Sequence, residues 1–281
     1  MESNYYYHAI DPVALSLGPF QIHWYALTYL AAFGAFWLLG RIRARRQLAP
    51  LNQDQVADLL FWGILGVILG GRLGYVLFYG LDQWAGDWLF PLRIWEGGMS
   101  FHGGLVGVIV TMLLYGRHLG CGFFRLADFV APLAALGLAF GRLGNFIGGE
   151  LWGRKTDVSW AVIFPESIQP GGRYSAELYQ QYLAGALDEF ARHPSQLYQA
   201  AGEGLALFVI LWWYSSRPRP VGTVSGLFLI GYSVFRFAAE FFREPDAHLG
   251  FIAAGLTMGQ LLSLPMLVAG IAIFIWARRR A

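Results

Sequence analysis

Tyr232, Arg236, Glu240 and Arg243 recur at intervals of four, four and three residues in a stretch that is otherwise apolar. At about 100° per residue on a helix, the four side chains share one narrow face. An arginine at mid-bilayer costs about 2.5–3.5 kcal/mol on insertion scales, so it needs a partner or a wet cavity. Two readings are open. An internal Arg236–Glu240 pair would fix helix register, but it leaves one arginine over. The alternative is a cationic pocket for an anionic group, such as a phosphate held in the bidentate manner of guanidinium. Arg142 adds a further cation within Gly141-Arg142-Leu143-Gly144-Asn145-Phe146-Ile147-Gly148-Gly149-Glu150-Leu151-Trp152-Gly153. Such a glycine density is poor helix chemistry and predicts a helix breaking at the outer interface, with backbone N–H groups free for phosphate oxygens. Glu150 belongs either to that site or to an ordinary loop hydrogen bond.

His102 lies in Glu96-Gly97-Gly98-Met99-Ser100-Phe101-His102-Gly103-Gly104, at the opening of another apolar stretch. Flanking glycines leave it accessible, and an accessible imidazole suits a general base. A purely structural histidine is the competing reading. His193, in Arg192-His193-Pro194-Ser195-Gln196-Leu197-Tyr198, is expected to cap or anchor the helix that follows. Cys121, the single cysteine, excludes an intramolecular disulfide and is read as incidental; no spacing suggests a metal site, and no cofactor is expected.

The elements that must position these residues are set by composition. The chain is 56% hydrophobic and 14% charged, against roughly 45–50% and 25% for soluble domains, which places it in lipid. A formal net charge of +2 offers no basic field for nucleic acid. The opening MESNYYYHAIDP lacks the features of a cleaved signal peptide. A ruler of roughly 20 apolar residues per crossing predicts an all-α polytopic membrane protein of about seven transmembrane helices, near 22–40, 57–80, 98–116, 126–147, 197–214, 224–243 and 257–277. Lys and Arg are asymmetric between the connections. Arg41, Arg43, Arg45, Arg46, Arg117, Arg125, Arg217, Arg219, Arg278, Arg279 and Arg280 fall on one side; Arg93, Arg154, Lys155, Arg173 and Arg192 fall on the other. The positive-inside rule then puts the N-terminus outside and the C-terminus inside. The whole chain, 1–281, reads as a single membrane domain, with 148–196 a small mixed extracytoplasmic cap between spans four and five. Tyr5, Tyr6, Tyr7, Trp24 and Tyr25 suit an interfacial aromatic belt. Glycines at 66, 70 and 74, and at 103 and 107, predict close helix packing.

These motifs together resemble the bacterial prolipoprotein diacylglyceryl transferase family. The resemblance rests on Gly141 to Ile147 with Gly149-Glu150 and Trp152-Gly153, on Gly97 to Gly104, on His193-Pro194-Ser195-Gln196-Leu197-Tyr198, and on Phe235-Arg236 through Glu240-Phe241-Phe242-Arg243. It runs nearly end to end and includes Ile22-His23-Trp24-Tyr25. Two positions depart: Gly148 stands where the family usually has Asn, and Gln199 where Glu commonly follows the Leu-Tyr pair. The resemblance implies transfer of the diacylglyceryl group from phosphatidylglycerol to the lipobox cysteine of a preprolipoprotein still carrying its signal peptide. Glycerol phosphate would be released, and the setting would be the bacterial cytoplasmic (inner) membrane among membrane lipids. It further implies catalytic roles for His102, Arg142 and Arg236, and a substrate-positioning role for Tyr25, Asn145, Glu150, Gly153, Tyr232, Glu240 and Arg243. The alternative functions are an anion or lipid transporter using the same arginines, and a structural subunit that binds anionic lipid without chemistry.

Overall fold

The computed structural model describes residues 3–245, 250–252 and 255–280. Strands β1 (Tyr6–Tyr7), β2 (Val13–Leu17) and β3 (Phe20–His23) precede α1 (Trp24–Arg45), α2 (Gln53–Tyr79), the short α3 (Leu81–Gly86), α4 (Phe101–His118) and α5 (Phe123–Gly148). After β4 (Val162–Ile163) and α6 (Ala176–Leu183) comes one unbroken helical run: α7 (Ser195–Gln199), a π-helical stretch (Ala200–Ala206) and α8 (Leu207–Tyr214). Helices α9 (Thr223–Ala239) and α10 (Met258–Arg279) complete the order. Helices α1, α2, α5 and α10 are long and apolar enough to cross a membrane, and α9 is apolar but shorter. The chain is thus a helical membrane protein.

The structure divides into two compact units, one of Phe36–Val130 and one of Met1–Ala35 with Ala131–Ala281. In the smaller unit, α2 and α4 meet along the predicted glycine ridge. A Cβ added at Gly70 would lie 2.9 Å from the Cα of Gly107, and one at Gly74 would lie 2.8 Å from the Cα of Gly103. Backbones can approach this closely only where both helices lack side chains. Arg72 of α2 is buried and donates to the carbonyls of Phe90 (2.5 Å), Pro91 (3.1 Å), Gly97 (2.5 Å) and Gly98 (3.3 Å). The Ser100 N–H donates to Gly71 O at 2.9 Å. Arg72 therefore supplies donors to backbone that no helix satisfies, which an apolar surrounding requires. The segment leading into α4 is tied to α2 as a result.

In the larger unit, Ala131 and Ala135 of α5, Leu207 and Leu211 of α8 and Val224 of α9 form one apolar cluster. Gly226 and Gly270 seat α9 on α10; a Cβ on either would stand 3.0 Å from the other's carbonyl oxygen. The segment between α5 and α7 carries β4 and α6, and it recruits the start of the chain. Strand β1 pairs in parallel with β4, Tyr6 opposite Val162 and Tyr7 opposite Ile163. Tyr7 is buried in a core with Ala161, Ile163, Leu178, Leu187 and Ala191. The aromatic-belt expectation is corrected for Tyr7, whose ring fills this core instead; Trp24 and Tyr25, at the start of α1, remain exposed.

Gly70→Ala should destabilise the protein by about 1–3 kcal/mol, because the added methyl has nowhere to go. Gly34→Ala, with open space around its Cβ position, should leave the melting temperature in detergent near wild type. Thermal unfolding of the two variants side by side tests the ridge.

Candidate functional site

Helix α5 supplies Arg142, and α9 supplies Arg236. Between them stands Glu203, a carboxylate the sequence reading did not single out. It comes from the π-helical stretch and is fully buried. Its Oε2 lies 3.6 Å from Arg142 Nη2 and its Oε1 lies 3.6 Å from Arg236 Nη1. Both separations give ion pairing without a close hydrogen bond. The other arm of Arg236 meets Glu240 Oε1 at 2.6 Å, and Arg243 Nη1 approaches the same oxygen at 3.3 Å. The Thr257 hydroxyl donates to Glu240 Oε2 at 2.5 Å. Both carboxylates have 0% side-chain exposure, whereas Arg142, Arg236 and Arg243 keep 19%, 14% and 10%. The acids are thus sealed while the arginine side chains keep part of their surface; Arg236 Nη1 is buried with no hydrogen-bond acceptor among the described residues.

The local fold explains the arrangement. Helix α9 ends at Ala239, short of the expected residue 243, yet the N–H groups of Glu240 and Arg243 still donate to Arg236 O (3.1 Å) and Ala239 O (3.2 Å). That continued turn keeps Arg236, Glu240 and Arg243 together. Tyr232, one turn earlier, lies within the field of Glu203, Arg236 and Arg142. Glu203 reaches the cluster because Gly202 and Gly204 flank it. A Cβ on Gly204 would stand 2.7 Å from the Cα of Ala139 on α5, and one on Gly202 would stand 3.1 Å from the ring of Phe235 on α9. The π-helical turn adds a residue to the winding, a device common at functional positions. The signal was present in the sequence: a lone carboxylate in an apolar span obeys the same argument as a lone arginine.

The end of α5 departs from expectation. The helix runs unbroken through Gly141 and Gly144 to Gly148 and turns only at Gly149 (φ 67°) and Leu151 (φ 57°). The N–H groups of Gly149 and Glu150 donate to Phe146 O (2.9 Å) and Asn145 O (3.1 Å). The helix thus does end within the glycine run, but these two N–H groups are not free for phosphate, and the expectation is corrected for them. The glycines serve packing instead: a Cβ on Gly144 would meet Thr28 Oγ1 at 2.6 Å and the Tyr25 ring at 2.9 Å. Asn145 donates to Glu150 Oε1 at 2.8 Å. Tyr25 shares a 3.2 Å hydroxyl contact with Tyr29 and lies within the field of Glu150 and Arg142. Gly153 donates its N–H to His193 O at 2.9 Å, and a Cβ there would lie 2.6 Å from Phe242 O. Its place is a crossing of three chain segments that admits no side chain. At Gly148, a Cβ would meet only Glu150, at 3.6 Å. Gln199 is buried in α7.

His102 belongs to the other unit, exposed in the first turn of α4. The Ser100 hydroxyl accepts the Gly103 N–H at 3.2 Å and caps that helix. His193 stands against Phe242 and Tyr198, its Nδ1 3.1 Å from the Tyr198 hydroxyl, and burial holds its pKa below the usual value. This is the anchoring role expected of it. Among the described residues, no group of three or more His, Cys, Asp or Glu side chains is placed to hold a metal ion.

Fold and site together define a helical membrane protein with an acid-backed arginine cluster. The family model for prolipoprotein diacylglyceryl transferase matches residues 12–276, and the chain belongs to that family. It is 54% identical over 276 residues to the phosphatidylglycerol–prolipoprotein diacylglyceryl transferase of Xanthomonas euvesicatoria pv. vesicatoria (strain 85-10), covering 98% of this chain and 93% of the relative. The similarly named protein of Xanthomonas campestris pv. campestris (strain B100) is 55% identical over the same shares of each chain.

His8, just after β1, is buried between Phe146 and Phe164. Burial first, and then the positive charge of Arg173, lower its pKa. The unfolded chain therefore takes up a proton at higher pH than the folded one. The stability His8 contributes is full above about pH 6.5 and is lost as pH falls through the depressed folded value. Melting temperature in detergent should drop more steeply on acidification for wild type than for His8→Phe, and equal slopes would exclude this role.

Proposed function

We propose that Arg142 and Arg236 clamp the phosphodiester of phosphatidylglycerol while a prolipoprotein thiol attacks the glyceryl carbon next to it. The protein transfers the diacylglyceryl group of phosphatidylglycerol to prolipoprotein, the first step of lipoprotein maturation. In our reading the acceptor is the lipobox cysteine of a preprolipoprotein that still carries its signal peptide. A sulfur–carbon bond forms and the adjacent carbon–oxygen bond breaks. The electron pair of that bond leaves with the phosphate as glycerol phosphate, and the thiol proton passes to a base. A thiol with pKa of about 8.5 is mostly protonated at neutral pH, so the proton acceptor matters. His102 is assigned that task, or that of orienting the thiol. The two arginines meet the charge that gathers on the departing phosphate. The observation that carries the reading is the pair of partly exposed arginine side chains held on sealed carboxylates. Glu240 and Arg243 brace Arg236, Tyr232 and Tyr25 lie in the field of Arg142, and Asn145 and Glu150 are assigned to substrate positioning. Gly153 joins the α9 end to the segment before α7.

For topology we read seven crossings in the bacterial cytoplasmic membrane, N-terminus outside and C-terminus inside. Two features support this. The pairing of β1 with β4 requires both strands on one side of the membrane, and an even number of crossings between them suits α1, α2, α4 and α5. With seven crossings the arginine-rich connections would share the opposite side, as the positive-inside rule expects.

Arg142→Gln and Arg236→Gln should each lower kcat/KM by about 10²-fold or more, measured with a lipobox peptide and phosphatidylglycerol in detergent. Full turnover by Arg142→Gln would end the phosphate-clamp reading. The same assay, run without any membrane gradient, separates an enzyme from a transporter by whether phosphatidylglycerol is consumed. His102→Gln should cost about 10²–10⁴-fold and remove the pH dependence of the rate that a base imposes. A wild-type rate at every pH would exclude it as the base.

A further inference from the structure

Holding a phosphate needs Arg142 and Arg236, yet the fold spends a fully buried carboxylate between them. We infer that Glu203 sets the charge of the site so that it holds the phosphodiester substrate and releases the phosphate-monoester product. This rests on the phosphate-clamp reading above. Phosphatidylglycerol presents one negative charge. Once the carbon–oxygen bond breaks, glycerol phosphate is a monoester with a second ionisation near pH 6, so at neutral pH it is mostly a dianion.

Arg142, Arg236 and Glu203 sum to one positive charge, while Glu240 and Arg243 pair with each other as well as with Arg236. Against a monoanion the trio is balanced; against a dianion it is one negative charge in excess. In a poorly solvated site that excess is weakly screened and favours departure. Glu203 cannot swing away to relieve it. Its side chain is sealed, and its backbone is pressed against α5 through Gly204 and against Phe235 through Gly202. Arg142, Arg236, Tyr232 and Glu240 are the charged or titratable groups that act on it. The discrimination is thus between two ionic forms rather than two shapes.

The test is equilibrium binding of radiolabelled glycerol phosphate to the full-length protein in detergent, which does not depend on turnover. Glu203→Gln keeps the shape and removes the charge, and should tighten binding about tenfold or more. Glu203→Asp keeps the charge and should stay within about threefold of wild type. A merely structural role predicts weaker binding in both. Unchanged or weaker binding by a folded Gln variant overturns the inference. Should that variant not fold, wild type alone decides. Glycerol phosphate should bind more tightly below its second ionisation than above it, relative to glycerophosphoglycerol, a diester that stays monoanionic. A flat ratio overturns the inference. Failure of both compounds to bind at any pH overturns the phosphate clamp itself.

Discussion

The larger unit is organised around one electrostatic problem, two guanidiniums held in an apolar helical setting with a carboxylate sealed between them. Removing one member of a buried ion pair costs about 3–5 kcal/mol, because the other is left uncompensated. Glu203, Arg142 and Arg236 come from three different helical segments, so this constraint fixes α5, the 195–214 run and α9 together near the site. The apolar cluster of Ala131, Ala135, Leu207, Leu211 and Val224 joins the same three segments by packing alone. Ion pairing and packing thus specify the same arrangement, which is the consistency a single native structure requires.

Glycine is the other half of the design, and its use differs between the units. In the smaller unit Gly70, Gly74, Gly103 and Gly107 let two helices touch backbone to backbone. In the larger unit Gly204 and Gly144 create room beside the arginines, for Glu203 and for Tyr25. Arg72 shows that an arginine in an apolar segment need not serve a ligand. Its donors are spent on four backbone carbonyls ahead of α4, where unpaired carbonyls would be costly.

Much of this was legible in the sequence. Each of the seven apolar stretches overlaps a helix, and among the described residues four of these helices are long and apolar enough to cross a membrane. The spacing of Arg236, Glu240 and Arg243 gave their shared face. The glycine ridge followed from its period of four. Glu203 was not legible from spacing because its arginine partners lie on two other helices, distant in sequence. Its approach depends on a π-helical turn that no spacing rule reveals. The glycine-rich end of α5 was legible in part: the helix does end within the run, but packing against Tyr25 and Thr28 carries it through Gly144 to Gly148 against intrinsic propensity. Tyr7 was misplaced because its partner, Ile163, lies far away in sequence.

The β1–β4 pair also bears on how the molecule is made. Tyr6 and Tyr7 leave the ribosome early, but the residues they pair with follow only after α1, α2, α4 and α5. Until then the strand has no edge to join and Tyr7 no core to enter. Closing so long a loop is slow. The layer built on β1 and β4 must therefore be assembled late, after the intervening helices have been made, and an early-synthesised strand is among the last pieces to find its place.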